Sequence, residues 1–307
     1  MRPARVRNPI LPGTPKERTG SGPIIRRAVA DINARFAALT AEVLAAFDRV
    51  PVYARNDASS VLYGLTPQQL AELSGELQAS LDAYVANNGA DVYRFWWSPY
   101  VAEASQLGTA QAAANLANLS PVYAAARNLQ TIMFSEPYRN RVGIAQTKSF
   151  EHWSGQSAQI RAELAQIIGS AVADGRPPRE VQGLIRDRLD VSASKARAFA
   201  QSDITDSLRQ ARWAEDDAAT EELGLDLREL WTSALLPTTR HTHAARHGKV
   251  YTTEECRAFY AKDGNRMNCH CSSTTCLIDA SGKPILTDGL KKKMKQELKD
   301  WKPAMPA

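Results

Sequence analysis

The sequence predicts a mainly α protein, with a helical N-terminal region followed by a small α+β module rich in cysteine and histidine. Three observations predict it. Apolar residues recur at three- and four-residue steps through much of the first 224 positions. Short stretches that read as strands gather only after Gly224. Eight of the nine Cys and His side chains fall between His241 and Cys276, with only His152 outside. At 307 residues, 44% of them hydrophobic, the chain has material for more than one domain. Four segments are expected: a basic extended arm over 1–23, a helical domain over 24–224, a Cys/His module over 225–280 and a basic helix over 281–307.

Residues 1–23 contain Pro3, Pro9, Pro12, Pro15 and Pro23 with Gly13, Gly20 and Gly22, a composition that sustains neither helix nor ladder. Residues 1–27 also hold seven Arg and Lys against Glu17, which leaves the rest of the chain nearly neutral beside a formal net charge of +5. The arm is either a disordered terminus or docks on a partner or nucleic acid. From Ile24 to Val50, a stripe through Ile25, Val29, Ile32, Phe36, Leu39, Val43 and Phe47 predicts a helix that stops before Pro51. Thr66-Pro67 starts a second, with Thr66 as N-cap, running through Leu70, Leu73, Leu77, Leu81 and Tyr84 to Asn87-Asn88-Gly89.

Tyr93, Phe95, Trp96, Trp97 and Tyr100 form an aromatic cluster between helices, expected to be packing. The Ala-rich run 104–119 with Gly108 suits close backbone approach, and Ser120-Pro121 begins a helix through Tyr123, Leu129 and Met133. A helix from Ser154 to Ala173 ends at Asp174-Gly175, and Pro177-Pro178 opens the next through Leu189. Ser192 or Ser194 then caps a long helix reaching Leu223, closed by Gly224. Leu227–Thr232 and 249–252 read as strands, Cys269–Ile278 as a third extended stretch, and Thr253 as the cap of a helical turn. Leu286–Trp301 is a basic amphipathic helix with Lys291, Lys292, Lys293, Lys295 and Lys299.

The composition excludes several classes. No run of about 18 apolar residues is present, and the N-terminus lacks a signal-peptide pattern, so a protein made in a cytosol without a membrane span is expected. Four cysteines are too few for a disulfide scaffold in a chain of this length. No Gly-rich phosphate cradle indicates a motor or kinase.

Within the Cys/His window, His243 and His247 are four apart and share a face if Thr239–His247 is helical, while Cys269 and Cys271 lie on one side of an extended strand. These four make a candidate tetrahedral zinc site, with Cys256, His241 and His270 as substitutes. The competing reading is reduced cysteines packed as small hydrophobes beside histidines in ordinary hydrogen bonds. A catalytic metal is the third reading. His243-Ala244-Ala245-Arg246-His247 lacks the glutamate of H-E-x-x-H, however, and neither H-x-E nor P-C-x-x-C is present.

Trp231-Thr232, then Thr239-Arg240-x-x-His243-x-x-x-x-Gly248-Lys249-Val250, then Asn268-Cys269-His270-Cys271 resemble, in order and spacing, the pattern of the Mu F-like family of phage minor head proteins. The resemblance covers roughly Ser154–Asp279 and rests on Trp231, Arg240, His243, Gly248, Asn268, Cys269 and Cys271. His270 replaces the usual arginine between the cysteines, and Gln201-Ser202-Asp203 stands where the family has an R-T-E-like helix start. His247, Cys256 and Cys276 are additional to the pattern. The resemblance implies a virion protein made in the host bacterial cytoplasm and placed in the capsid interior or at the portal vertex. Its implied partners are portal and capsid or scaffold proteins, in multiple copies per particle, with a role in head morphogenesis, genome packaging or ejection and no catalysis.

Two further functions compete with it. One is a zinc-containing nucleic-acid-binding module contacting phage DNA through the arm and the lysine-rich helix. The other is a phage-delivered enzyme or toxin, opposed by the short stretch remaining after Ile278.

Overall fold

A computed structural model describes residues 6–54, 60–86 and 91–303. The chain is mainly helical and divides into two compact units, both discontinuous in sequence. One comprises Met1–Arg26, Tyr100–Gly143 and Gln201–Ala307, the other Arg27–Pro99 and Ile144–Ala200.

The elements run in order as α1 (Gly22–Asp48), the antiparallel pair β1 (Val52–Ala54) and β2 (Val61–Tyr63), and α2 (Pro67–Leu81), which continues as a π-helical turn over Asp82–Ala86. Then come α3 (Ser98–Leu119), α4 (Pro121–Ala126), α5 (Leu129–Phe134), α6 (Glu136–Asp174) and α7 (Pro178–Leu223). The remainder is β3 (Leu227–Thr232), α8 (His241–Ala244), β4 (Val250–Tyr251), α9 (Thr253–Ala261), β5 (Ser272–Leu277) and α10 (Asp288–Asp300).

Several of these follow from local chemistry. Thr66 caps α2 in a full capping box with Gln69, and Ser120 caps α4 ahead of Pro121. Gly224 closes α7 at φ +65°, in the left-handed region, with its N–H donating to the Thr220 carbonyl.

Other elements differ from the sequence expectation. One helix, α7, replaces the two expected, because Ser192 does not cap: its hydroxyl donates back to the Arg188 carbonyl and the helix runs through. Helix α6 begins eighteen residues before Ser154, at Glu136. The stretch after Ser120 breaks into α4 and α5, because Asn128 opens a new helix by accepting from the Gln130 and Thr131 amides. The cap of α9 is Thr252, not Thr253, and Glu255 completes its capping box. The β1–β2 pair was not expected at all. The expected helix end at Asn87-Asn88-Gly89 lies outside the described residues.

In the unit of residues 27–99 and 144–200, the aromatic cluster is packing. The Trp97 and Trp153 rings lie 5.3 Å apart, Phe95 meets Phe150 edge-on at 5.3 Å, and Phe199 stacks on His152. Phe95 and Trp97 are fully buried, whereas Tyr93 is exposed.

In the other unit, β3 is the centre of a three-stranded antiparallel sheet ordered β4-β3-β5, with Leu230 facing Val250 on one side and Thr274 on the other. Residues 6–21 form no helix and lie along this unit. The Ile10 amide donates to Asn115 Oδ1, Thr274 Oγ1 donates to the Ile10 carbonyl, and the Arg18 amide donates to the His270 carbonyl. Helix α3 passes so close to α7 that a Cβ on Gly108 would sit 2.2 Å from the Leu208 carbonyl oxygen.

Candidate metal centre

The site is assembled by β3, the one-turn helix α8, α9 and the loop entering β5. β3 reads Leu-Arg-Glu-Leu-Trp-Thr and is almost wholly buried, which places the Trp231 indole in the core of the module. Its ring stacks on Tyr260 at 5.1 Å and meets Phe259 edge-on at 5.2 Å. Trp231 Nε1 donates to Ser233 Oγ, which donates to the His243 carbonyl at 2.6 Å and so ties α8 to the end of the strand. Gly248, at φ +74°, turns the chain back onto β3, where its N–H donates to the Trp231 carbonyl and the Trp231 N–H donates to that of Lys249.

The loop before β5 is held from two directions. Arg240 donates to the carbonyls of Asn265 and Met267. Asn268 takes a left-handed conformation at φ +48°, which asparagine tolerates, and its amide donates to Ser202 Oγ on α7. The chain then enters Cys269-His270-Cys271 with both sulfurs turned inward.

His243, Cys269 and Cys271 consequently present their ligand atoms within 4.8 Å of one another, and all three residues are buried. Such a group could hold a metal ion. His243 Nδ1 lies 3.4 Å from Cys269 Sγ, close to the sulfur–nitrogen edge of about 3.6 Å in a tetrahedron with zinc bond lengths of about 2.3 and 2.05 Å. The other ring nitrogen, Nε2, lies 3.2 Å from Asn265 Oδ1. Asn265 Nδ2 donates to the Phe259 carbonyl, so its oxygen is the atom turned to the imidazole. Nε2 also faces Arg240 Nη1 at 3.2 Å, so the ring is held from that edge by two side chains while Nδ1 is turned toward the sulfurs.

The two thiols are not equivalent. The Cys271 thiol beside it, together with His243 and Arg209, holds Cys269 well below the usual thiol range against the effect of burial. Cys271 is pushed up by its bond to Cys269 and by burial. The bond between them thus shifts the two thiols in opposite directions, and the thiolate is the form of cysteine that ligates metal.

His247, expected as the fourth ligand from its spacing, points elsewhere. Helix α8 is a single turn ending at Ala244, so the four-residue spacing does not put the two imidazoles on one face. His247 Nδ1 accepts from the Ser233 amide at 3.0 Å, and its Nε2 faces Glu297 Oε2 at 3.1 Å. Arg18 donates to the same carboxylate oxygen. The substitutes do not join either. Cys256 is buried behind Trp231, His241 packs against Trp301, and His270 lines the pocket in front of the sulfurs without entering the group.

The sequence reading missed four participants: Tyr260, whose hydroxyl is 3.8 Å from Cys269 Sγ, Asn265, Ser202 and the fully buried Arg209. The Arg209 guanidinium lies over the Tyr260 ring at 4.0 Å and donates to the Cys269 carbonyl. A signal for two of them was present. Ser202, Thr205, Arg209, Arg212 and Asp216 recur at three- and four-residue steps, a polar stripe on α7 that is buried along its whole length.

Deeper on that stripe, burial and the neighbouring Glu229 push Asp216 well above the usual carboxylate range, while Thr275 Oγ1 donates to its Oδ1 at 2.7 Å. The remaining cysteines are also raised by burial, Cys276 to about 12.

Among the described residues, no helix is long and apolar enough to cross a membrane. No curated protein and no solved structure matches the chain. A family model does, that of the Phage Mu protein F like proteins, and its match begins in α6 and ends in β5. It takes in Trp231, Arg240, His243, Gly248, Asn268, Cys269 and Cys271, the residues that build the module just described, so residues 159–274 of this chain are similar to the Phage Mu protein F like family.

Proposed function

We propose that this chain is a phage minor head protein that acts in head morphogenesis at the portal vertex and holds one zinc ion on His243, Cys269 and Cys271. One observation carries the reading: the residues of the family-matched segment that are spaced like the Mu F pattern converge on a single buried module. Zinc suits a mixed nitrogen and sulfur donor set better than the oxygen-seeking magnesium or calcium. In this reading the ion is a local cross-link between α8 and the loop before β5, and the protein works by docking on portal and capsid or scaffold subunits, in several copies per particle. It is made in the host bacterial cytoplasm and carried into the virion, in the capsid interior or at the portal.

The test is capture of portal protein by the full-length tagged chain in infected cells, with mass spectrometry of purified particles. The reading expects portal in the captured material and the chain in the particles. Absence from particles would contradict it. The full chain is used because the unit that carries the module draws on three separate stretches of sequence.

A DNA contact is supported by one feature, the exposed lysines 291, 292, 293, 295 and 299 of α10. Binding through them has to weaken steeply between low and physiological salt, which filter binding at two salt concentrations measures.

A further inference from the structure

The geometry points to a small-anion-binding position on the metal: the fourth ligand comes from outside the chain and enters through the pocket in front of Cys269 and Cys271. The inference rests on the zinc reading above and specifies the character of that site. A closed structural zinc takes four protein ligands, whereas a site with three keeps a position for an exogenous one. Among the described residues, which include every cysteine and histidine of the chain, only His243, Cys269 and Cys271 bring their ligand atoms together.

The two sides of the group differ. On the inner side lie the Tyr260 hydroxyl and the buried Arg209. On the outer side is a pocket of about 140 Å³, lined by all three ligands with Thr238, Thr239, Arg240, Asn268 and His270. This is room for a molecule of a few atoms.

The charge balance selects its chemistry. Zinc with two thiolates and a neutral imidazole is electrically neutral. Arg209 and Arg240 flank it on opposite sides, Asp206 meets Arg209 only at 3.9 Å, and no carboxylate lines the pocket. The surroundings therefore stabilise a ligand of negative charge, with water or hydroxide in place until a monodentate anion displaces it.

Cobalt(II)-substituted full-length protein, titrated with sodium azide, tests this. The thiolate-to-cobalt charge-transfer band reports that the metal is bound, and the visible d–d bands report its fourth ligand. The inference expects the d–d bands to shift and saturate with azide while the charge-transfer band persists. Cobalt bound with d–d bands that azide does not move would overturn it and leave the metal reading standing. Failure to take up cobalt at all would overturn both.

Thr238 is exposed at the pocket mouth, so Thr238→Trp covers the entrance with little risk to folding. It is expected to abolish the azide shift and to leave cobalt uptake unchanged. An undiminished shift in that variant would show that azide reaches the metal by another path and would overturn the assignment to this pocket.

Discussion

The Nδ1 of His243 faces Cys269 Sγ at 3.4 Å across a boundary between two elements that the Arg240 and Asn265 side chains also bridge. A metal on these atoms joins α8 to the loop before β5. That relationship separates His243, which faces the sulfurs, from His247, which does not, and the consequence can be measured.

Substituting His243 by Gln or Cys269 by Ser should release the zinc and lower the unfolding free energy by about 3 kcal/mol or more, the linkage loss for an ion present at a hundred times its Kd. His247→Gln should keep the full zinc content, because His247 is turned to Ser233 and Glu297. Zinc analysis of the three variants checks this, and loss of zinc from His247→Gln would restore the four-ligand set.

His247 should make stability depend on pH. Burial lowers its pKa from the ordinary 6.5, with Arg18 adding to the effect and Glu297 opposing it. The neutral ring is the one the fold accommodates. Its Nδ1 accepts from the Ser233 amide, and protonating that nitrogen sets two donors against each other. Since the folded pKa lies below the unfolded one, this contribution is complete above about pH 6.5 and is lost as the pH falls through the folded value. Urea unfolding of the wild type and His247→Gln over that range checks it, the variant being expected to show the shallower decline.

Asp216 carries the opposite sign. Burial and Glu229 hold its pKa well above the ordinary carboxylate range, so ionising Asp216 costs more in the folded protein than in the unfolded chain and folding works against ionisation there. Asp216→Asn removes that cost and keeps an oxygen for the Thr275 hydroxyl. A rise in Tm of about 2 °C or more is expected at pH 7 and little change at acid pH. A fall at pH 7 would mean that the charge of Asp216 is needed by Arg212.

Gly108→Ala should destabilise the protein by about 1–3 kcal/mol, the usual range for overpacking. The added methyl would meet the Leu208 carbonyl oxygen at 2.2 Å, and both partners are helix backbone that cannot step aside. Thermal unfolding measures the effect.

Much of the fold was legible because its signals are local. Thr66-Pro67, Ser120-Pro121 and Gly224 mark helix ends by satisfying backbone groups within three or four residues. The bounds Leu227–Thr232 of β3 are those expected, between the helix end at Gly224 and the turn-rich stretch that follows. Signals that need a partner were misread. Ser192 is indistinguishable from a cap until its hydroxyl is seen to bond within the helix. The polar stripe from Ser202 to Asp216 looks like a solvated face until the sheet is laid on it.

The site was legible to the same degree. Cys269 and Cys271 do come together as their spacing suggested, but from the loop before β5 and not from a strand, and His243 joins them from its position in the motif. His247 was misplaced, because the spacing argument presumes a helix longer than the single turn that forms. Asn265, whose side-chain oxygen faces His243 Nε2, sits in a turn with nothing in its neighbours to mark it.

The most direct measurement is elemental analysis of the purified full-length chain, prepared without added metal or chelator and shown to be folded by circular dichroism. The account predicts about one zinc per chain. A folded protein with only traces of zinc would contradict it, and His243, Cys269 and Cys271 would then be a hydrogen-bonded core cluster.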